Sequence, residues 1–337
     1  MVIRPYKRGD EEGIVRLRRS VFGDMDPYKA TIEGWKWEFG EIPSGSPIIV
    51  VAEEGGEIVG HYGLLPMTLC HRGKEQPFGL AVDLMVHPLY RRRGLFVNMY
   101  REVERKAREE GLAGILGFPN ERTLPTYKNR LGWKHLMDLS LFFAANPIFL
   151  LSCIRGYETT PSLPTYGKYK GMEIIFETIS RFENAITPLD SGALPYSFLK
   201  RDPDYLNWRY IKPRWYSYRC YRILLRKEPL GYFVIRNYQK KGLWFAVLMD
   251  IFPFPLIDRE TTKRVFKEIL AMLKGSNIVG LIFSDSIGFF KKFLDPGIRI
   301  PSLLNPRPWH VGWRDLSDGC GPVSEDFYLT FGDGDIL

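Results

Sequence analysis

Val82-Asp83-Leu84-Met85-Val86-His87-Pro88-Leu89-Tyr90-Arg91-Arg92-Arg93-Gly94-Leu95-Phe96 is the stretch that decides how this sequence is read. Val82 to Val86 is a short, mostly apolar run, which predicts a buried strand. Arg91 to Gly94 is a tight basic turn with one glycine. Beyond it Phe96, Met99, Tyr100, Val103 and Ala107 recur at helical spacing. Arg101, Glu104, Arg105 and Arg108 lie elsewhere on the same helix, toward solvent. A helix start presents unpaired N–H groups and the positive end of its dipole, so it is an anion site. Flanking arginines add charge-assisted bonds. The turn is therefore built to hold a pyrophosphate. The dinucleotide pattern G-x-G-x-x-G and the triphosphate pattern G-x-x-x-x-G-K-[ST] are both absent.

An Arg-x-x-Gly-x-small turn after an apolar strand resembles the coenzyme A loop of the GNAT acetyltransferase superfamily. Arg91 and Gly94 take its first and fourth positions, and Phe96 stands at the sixth, where Gly or Ala is usual. Further on, Asn120 and Tyr127, followed by Leu131-Gly132-Trp133, resemble the second motif, N-x(6)-Y and then L-G-F/W. The resemblance implies acetyl-CoA as cosubstrate, no metal, and direct acyl transfer to a primary amine without a covalent enzyme intermediate. It implies that Arg91, Arg92, Arg93, Gly94, Leu95 and Phe96 hold the pyrophosphate. The backbone of Leu84, Met85 and Val86 would pair with the pantetheine arm, Asn120 would help to seat that arm, and Tyr127 would protonate the departing thiolate. A reading of Tyr127 as packing beside the sheet and Asn120 as a helix cap stands beside these roles.

Asp83 and His87 are the candidate general bases, since the strand pattern puts Asp83, Met85 and His87 on one face and Leu84 and Val86 on the other. A histidine suits the task by its reference pKa of about 6.5. The alternatives are a structural hydrogen-bonding Asp83 and a strand-end His87. Aromatic residues gather at Tyr205, Trp208, Tyr210, Trp215, Tyr216, Tyr218 and Tyr221, with Arg209 and Arg214 between them. Packing under a sheet explains them, as does stacking on an acceptor sugar. The acidic, glycine-rich Thr330 to Asp335 reads either as a frayed end or as a segment that bends back to present carboxylates to an amine.

The order of elements follows from periodicity and turn residues. Ile3 to Tyr6 is a strand, and Asp10 is placed to cap a helix with Ile14, Leu17 and Val21 on its apolar face and Gly23 at its end. Pro47 to Ala52, Glu57 to Leu65, Met67 to Arg72 and Phe78 to Val86 are strands, and Glu54-Gly55-Gly56 is a hairpin turn. Gly111 closes the helix after the basic turn, Ala113 to Phe118 is a strand, and Asn120 to Leu131 a short helix. The second half repeats this order more weakly. Tyr221 to Leu225 with Leu230 to Ile235 mirrors the hairpin, Trp244 to Ile251 mirrors Gly79 to Val86, and Thr261 to Leu273 mirrors Phe96 to Arg108. Val279 to Ser284 mirrors Ala113 to Phe118, and Phe289 to Leu294 mirrors Tyr127 to Leu131. The corresponding turn, Pro253-Phe254-Pro255-Leu256, has neither arginine nor glycine, so one cofactor site is expected, in the first half.

The fold class expected is α/β: two tandem GNAT-like domains, each a mixed, mostly antiparallel sheet flanked by helices. The boundaries expected are a catalytic domain over 1–150, a linker over 151–185 centred on the Pro- and Gly-rich Gly156 to Gly171, and a degenerate domain over 186–337 that is structural or binds the acceptor. The longest apolar stretch, Leu139 to Ile154, is broken by Asn146, Pro147 and Ser152, short of the roughly 20 residues of a membrane span. The N-terminus lacks the apolar core of a signal peptide, which points to the cytoplasm. Cys70, Cys153, Cys220 and Cys320 show no C-x-x-C spacing, so free thiols are expected rather than a metal site or a disulfide framework. A net charge of +8 favours phosphorylated partners. No nucleic-acid motif accompanies it, and dispersed lysine and arginine account for it. The acceptor, a small-molecule or peptide amine, stays open among an amino sugar, a polyamine and a protein lysine. Two other functions fit the same architecture. One is aminoacyl transfer from charged tRNA to cell-wall precursors, whose enzymes lack a working coenzyme A loop. The other is a non-catalytic acyl-CoA-binding module. The sequence does not set an oligomeric state.

Overall fold

The computed structural model describes residues 1–23, 25–71, 73–146, 166–168, 174–183, 194, 196–253, 258–273, 276–288, 298–300, 309–317 and 326–334. The elements are, in order, β1 (Val2–Pro5), α1 (Glu11–Phe22), α2 (Ile32–Trp35), β2 (Ile48–Glu54), β3 (Glu57–His71), β4 (Lys74–Val86), α3 (Leu95–Glu109), β5 (Gly114–Gly117), α4 (Leu124–Leu131), β6 (Lys134–Asp138), β7 (Ser140–Ala145), β8 (Tyr166–Lys168), β9 (Ile174–Ile179), β10 (Ser197–Leu199), α5 (Pro203–Leu206), β11 (Tyr218–Leu225), β12 (Glu228–Lys240), β13 (Leu243–Phe252), α6 (Arg259–Leu273), β14 (Ile278–Asp285), β15 (Ile298–Arg299), β16 (His310–Asp315) and β17 (Phe327–Tyr328). They form two sheets flanked by helices, the α/β class expected. Among the described residues no helix is long and apolar enough to cross a membrane. Cys70 and Cys220 are buried; Cys153 and Cys320 lie outside the described residues.

Two compact units emerge, and neither is contiguous. The first comprises residues 1–137, 197–200 and 309–324, the second 138–196, 201–308 and 325–337. The chain therefore does not divide into 1–150 and 186–337. The cause is an exchange of strands. β16, from near the C-terminus, lies between β5 and β6 in the first sheet, and β7 lies between β14 and β15 in the second. The expected linker is also only partly a linker. β8 and β9 fall within 151–185 and form one edge of the second sheet, while most of Gly156 to Gly171 lies outside the described residues. So do Phe289 to Leu294 and Phe254 to Leu256.

In the first unit the sheet order is β1-β2-β3-β4-β5-β16-β6. The two expected strands 57–65 and 67–72 are one long strand, β3, paired antiparallel with β4 through Pro66↔Gly79. Asp10 does not cap α1. Its carboxylate takes a bidentate pair from Arg4 at 2.7 and 2.8 Å, because the charge-assisted bonds outcompete neutral helix amides. α3 packs tightly on β3, where a Cβ on Gly60 would stand 2.9 Å from the Met99 sulfur. β16 is seated by Trp313, whose indole fills the space that a side chain on Gly114 would take.

Among the elements that sequence periodicity missed is a short helix in each unit. Thr31 caps α2 through Oγ1, 3.0 Å from the Gly34 amide, and the helix widens into a π-turn over Lys36–Gly40. Asp202 caps α5 in the same way, and a π-turn follows over Asn207–Ile211. The wider turn buries Trp37 and Phe39 in one unit and Trp208 and Tyr210 in the other. The aromatic cluster is accordingly core at Tyr205, Trp208, Tyr210 and Tyr221.

The second unit has the order β15-β7-β14-β13-β12-β11-β9-β8, with β13 and β14 parallel across α6. Its interior is pinned by a buried cation. Arg201 Nε donates to both Asp250 oxygens at 3.1 and 3.2 Å, and Nη2 donates to Asp333 at 2.6 Å. Burial disfavours the charge on Arg201, but Asp250 and Asp333 outweigh it and push its pKa up. Arg209 donates to the carbonyls of Gly332 and Gly334 at 3.0 and 3.1 Å. The C-terminal segment, as far as it is described, is thus neither frayed nor free; Asp335 lies outside the described residues.

Replacing Arg201 with alanine leaves two carboxylates buried without a cation. The expected cost is about 3–5 kcal/mol, read as a lowered midpoint in chemical denaturation. A midpoint within error of the parent protein would show that the network contributes nothing.

Candidate functional site

The site is built around an irregularity in β4. In the register with β3, Gly60 faces Val86 and His61 faces Met85, but Gly63 faces Val82, so Tyr62 opposes both Asp83 and Leu84. This is a β-bulge, with Asp83 at φ +48°. β4 pairs in parallel with β5 over Gly79↔Ile115 to Ala81↔Gly117, and the pairing ends there. Among the described residues, the last residues of β4 therefore have a neighbouring strand on one side only. The His87 amide bonds the Val59 carbonyl on β3, so alternation turns the peptide groups of Leu84 and Val86 toward the open side. The Val86 carbonyl is met there by Arg91 Nε at 3.3 Å. Leu84 and Val86 pack on the cluster that holds Tyr127, while Met85 is buried outside it.

Beyond β4 the chain makes a short turn over Pro88–Tyr90, and Gly94, at φ +76°, opens α3. Arg91, Arg92, Arg93 and Gly94 are exposed. The first bond of α3 runs from the Asn98 amide to the Gly94 carbonyl, and no side chain caps the helix. Among the described residues the amides from Arg92 to Val97 have no protein acceptor. Six consecutive free donors, a helix dipole and three guanidinium groups converge on this one turn. Arg93 lies over the Tyr90 ring at 5.0 Å, which limits its freedom. Phe96 turns away from the anion site and meets the Tyr127 ring edge-on at 5.0 Å. Leu95 is buried and anchors the first turn.

Tyr127 sits on α4, which Gly132 ends in the left-handed conformation. The Trp133 amide bonds the Tyr127 carbonyl at 3.1 Å, and the two rings are 4.5 Å apart. The Tyr127 hydroxyl is 2.9 Å from that of Tyr62. Burial pushes the Tyr127 pKa up and the Tyr62 hydrogen bond pulls it down, with burial prevailing. Asn120 is exposed. Its Oδ1 accepts from the Arg122 and Thr123 amides at 3.0 and 3.1 Å, so that oxygen is committed to the turn before α4.

The candidate bases are engaged as well. The Asp83 carboxylate forms a buried ion pair with Arg18 of α1. His87 Nδ1 accepts from the Leu89 amide at 3.4 Å, and its ring meets Tyr90 edge-on. His61 holds the bulge from β3, its Nδ1 lying 2.8 Å from the Asp83 carbonyl. A carbonyl only accepts, so Nδ1 carries the proton and Nε2, buried and without a partner among the described residues, is the acceptor nitrogen. Burial, reinforced by Arg18, lowers the His61 pKa to about 3, against the pull of Glu38. Beside it Lys29 and Glu38 form a second buried pair at 2.6 Å, and burial lowers the Lys29 pKa to about 8.

Arg18, His61 and Tyr62 escaped the sequence reading. Arg18 gave one signal, a charge in line with Ile14 and Leu17 on the buried face of α1. His61 and Tyr62 gave none, because the bulge that assigns their faces is not written in the pattern of β3.

The sequence profile of the acetyltransferase (GNAT) domain matches residues 2–136. Among solved structures, the chain is similar to a GCN5-related N-acetyltransferase from Anabaena variabilis, with a TM-score of 0.63 and 10% identity, over 94% of this chain and 73% of that one. It is similar to a probable N-acyltransferase from Enterococcus faecalis, with a TM-score of 0.64 and 8% identity, over 94% and 72%. A GCN5-related N-acetyltransferase from Kribbella flavida gives a TM-score of 0.61 and 14% identity, over 93% and 71%. At these identities the likeness is one of fold. No curated protein matches the sequence.

His61 makes stability depend on pH. Its folded pKa of about 3 lies below its unfolded value, near 6.5. Between those values the unfolded chain binds the extra proton, so stability is full above about pH 6.5 and falls as pH drops toward about 3. The slope is at most about 1.4 kcal/mol per pH unit. Denaturation between pH 7 and 4 should show a flatter slope for His61→Asn than for the parent. Equal slopes would mean that His61 is not held neutral.

Proposed function

We infer, from residues 2–136 belonging to the GNAT acetyltransferase superfamily, that this chain moves an acetyl group from acetyl-CoA directly to a primary amine. One observation carries the reading. The free amides of Arg92 to Val97 and the three exposed arginines lie beside the unpaired edge of β4. The first arrangement suits a diphosphate, and the second suits an extended amide-containing arm such as pantetheine.

The amine nitrogen attacks the thioester carbon, the C–N bond forms, and the C–S bond breaks. A free Leu84 or Val86 amide on the open side of β4 polarises the carbonyl. Tyr127 gives its hydroxyl proton to the departing sulfur, and the proton lost by the amine nitrogen returns to Tyr127 through solvent. Positioning supplies much of the rate, so the chemistry does not need a metal or a covalent enzyme intermediate. Asp83 acts by holding the bulge, and His87 by closing the turn. Arg91 braces the Val86 carbonyl, Gly94 allows the helix to start, and Asn120 shapes the turn that places Tyr127. The acceptor is a small-molecule or peptide amine, and the location that fits a CoA thioester is the cytoplasm.

Titration calorimetry with acetyl-CoA tests the first half of this reading. Saturable binding is expected, weakened at least about tenfold when Arg91 and Arg93 are both alanine. An absence of binding would overturn the acetyl reading and leave the aminoacyl alternative standing. Assays with acetyl-CoA and a panel of an amino sugar, a polyamine and a lysine peptide test the second half. Tyr127→Phe should keep acetyl-CoA affinity and lose about 10²-fold or more in kcat. An unchanged kcat would remove Tyr127 as the acid.

A further inference from the structure

We propose that Tyr62 is a positioning residue for acyl transfer: its hydroxyl donates to the Tyr127 oxygen and stabilises the phenolate formed when Tyr127 protonates the coenzyme A thiolate. The proposal rests on the acetyl-transfer reading above and adds a residue to it. The two hydroxyls are 2.9 Å apart, and both side chains are buried, Tyr62 completely and Tyr127 to 5% exposure.

Only one of the two hydrogens can lie between the oxygens. Neither hydroxyl has another partner among the described residues. If Tyr127 donated, the Tyr62 hydrogen would be stranded in the interior of β3, at a cost no neighbour offsets. If Tyr62 donates, its hydrogen is satisfied, and the Tyr127 hydrogen is left for a ligand at the less buried of the two rings. The second arrangement satisfies the deeper group and readies the shallower one.

The fold holds this arrangement in place. Tyr62 stands opposite the bulge, the one position of β3 that faces two residues of β4. Tyr127 is clamped by Phe96, Tyr100 and Trp133, with ring centroids 5.0, 6.2 and 4.5 Å away. Tyr100 does not compete for the Tyr127 oxygen, because its hydroxyl accepts from Trp133 Nε1 at 2.8 Å and gives its hydrogen to Glu104. Glu104 of α3, whose charge bears on Tyr62 and Tyr100, is paired with Arg314 of β16 at 3.0 Å. Burial alone makes Tyr127 a reluctant acid, and the Tyr62 hydrogen bond works in the opposite direction. When the proton moves to sulfur, the new phenolate finds a donor already aimed at it, so little reorganisation is needed.

The test is a double-mutant cycle on the full chain, with acetyl-CoA and the best amine of the panel. Tyr62→Phe should lower kcat about 10- to 100-fold, the worth of a hydrogen bond to a charged group. The KM for acetyl-CoA and the thermal midpoint should stay close to those of the parent. In a Tyr127→Phe background, Tyr62→Phe should cost nothing further. Equal losses in both backgrounds would mean that Tyr62 merely supports the fold, and would overturn the proposal. If Tyr127→Phe lowers kcat and Tyr62→Phe does not, the proposal fails while the acid assignment stands. If Tyr127→Phe has no effect, the acid assignment itself fails. NMR of isotope-labelled tyrosine gives a readout independent of turnover. The Tyr127 ring signal, assigned by its loss in Tyr127→Phe, should move when Tyr62 becomes phenylalanine, and an unmoved signal would overturn the proposal.

Discussion

The ion pair between Arg18 and Asp83, with His61 bonded to the Asp83 carbonyl, holds a backbone conformation that β4 would not adopt by itself. A non-glycine residue at φ +48° is uncommon. Here it adds one residue to the strand between Val82 and Met85, and that residue reorders what lies beyond it. Leu84 and Val86 turn toward the core of α3 and α4, Tyr62 comes to oppose the bulge, and the peptide groups at the end of β4 face a side that β5 has already left. A regular strand would carry its alternation straight through, and the open edge and the phenol pair would not share a neighbourhood. The strain is sustained because both its holders are themselves buried and partnered.

The second unit contains the same device with a different outcome. β13 also carries an extra residue, since Val234 faces Asp250 while Ile235 faces Leu248, and its parallel pairing with β14 likewise stops early, at Val247↔Ile282. In the first unit an arginine side chain meets the last exposed carbonyl of the strand. In the second, the Tyr328 hydroxyl donates to the Ile251 carbonyl, and the Leu329 amide donates to Ser286 Oγ at 2.8 Å. Among the described residues, a small cleft lined by Leu248, Asp250, Ser284, Tyr328 and Thr330 lies there. The chain's own C-terminal segment takes the ground that stays clear in the first unit.

Some of this was legible in the sequence because it depends on local rules. The strand-turn-helix at Val82 to Phe96, the hairpin at Gly55-Gly56 and the glycine stop at Gly111 each follow from periodicity or a glycine's freedom. Other features depend on contacts far apart in the chain. Trp35-Lys36-Trp37-Glu38-Phe39 alternates as a strand would, yet forms the end of a helix, because a π-turn spaces its aromatics for the core of its unit. Asp10 has the chemistry of a cap and is taken by Arg4 instead. The bulge leaves no mark in β4, whose residues are those of any buried strand, and so the roles of His61 and Tyr62 could not be read in advance. Nor could the placement of β16, since nothing in His310 to Asp315 names β5 as its neighbour.

That placement bears on how the chain is made. A ribosome releases β5 long before it releases β16, which lies about 200 residues further on. At translation rates of about 5–20 residues per second, the outer edge of β5 waits roughly 10 to 40 seconds for its permanent neighbour. Through that interval the first sheet has a bare flank with unpaired backbone groups, the condition under which nascent strands join the wrong partner. Gly114 also lacks the Trp313 ring that later covers it. The first unit is thus begun first, and its sheet still waits for a strand made near the end of the chain.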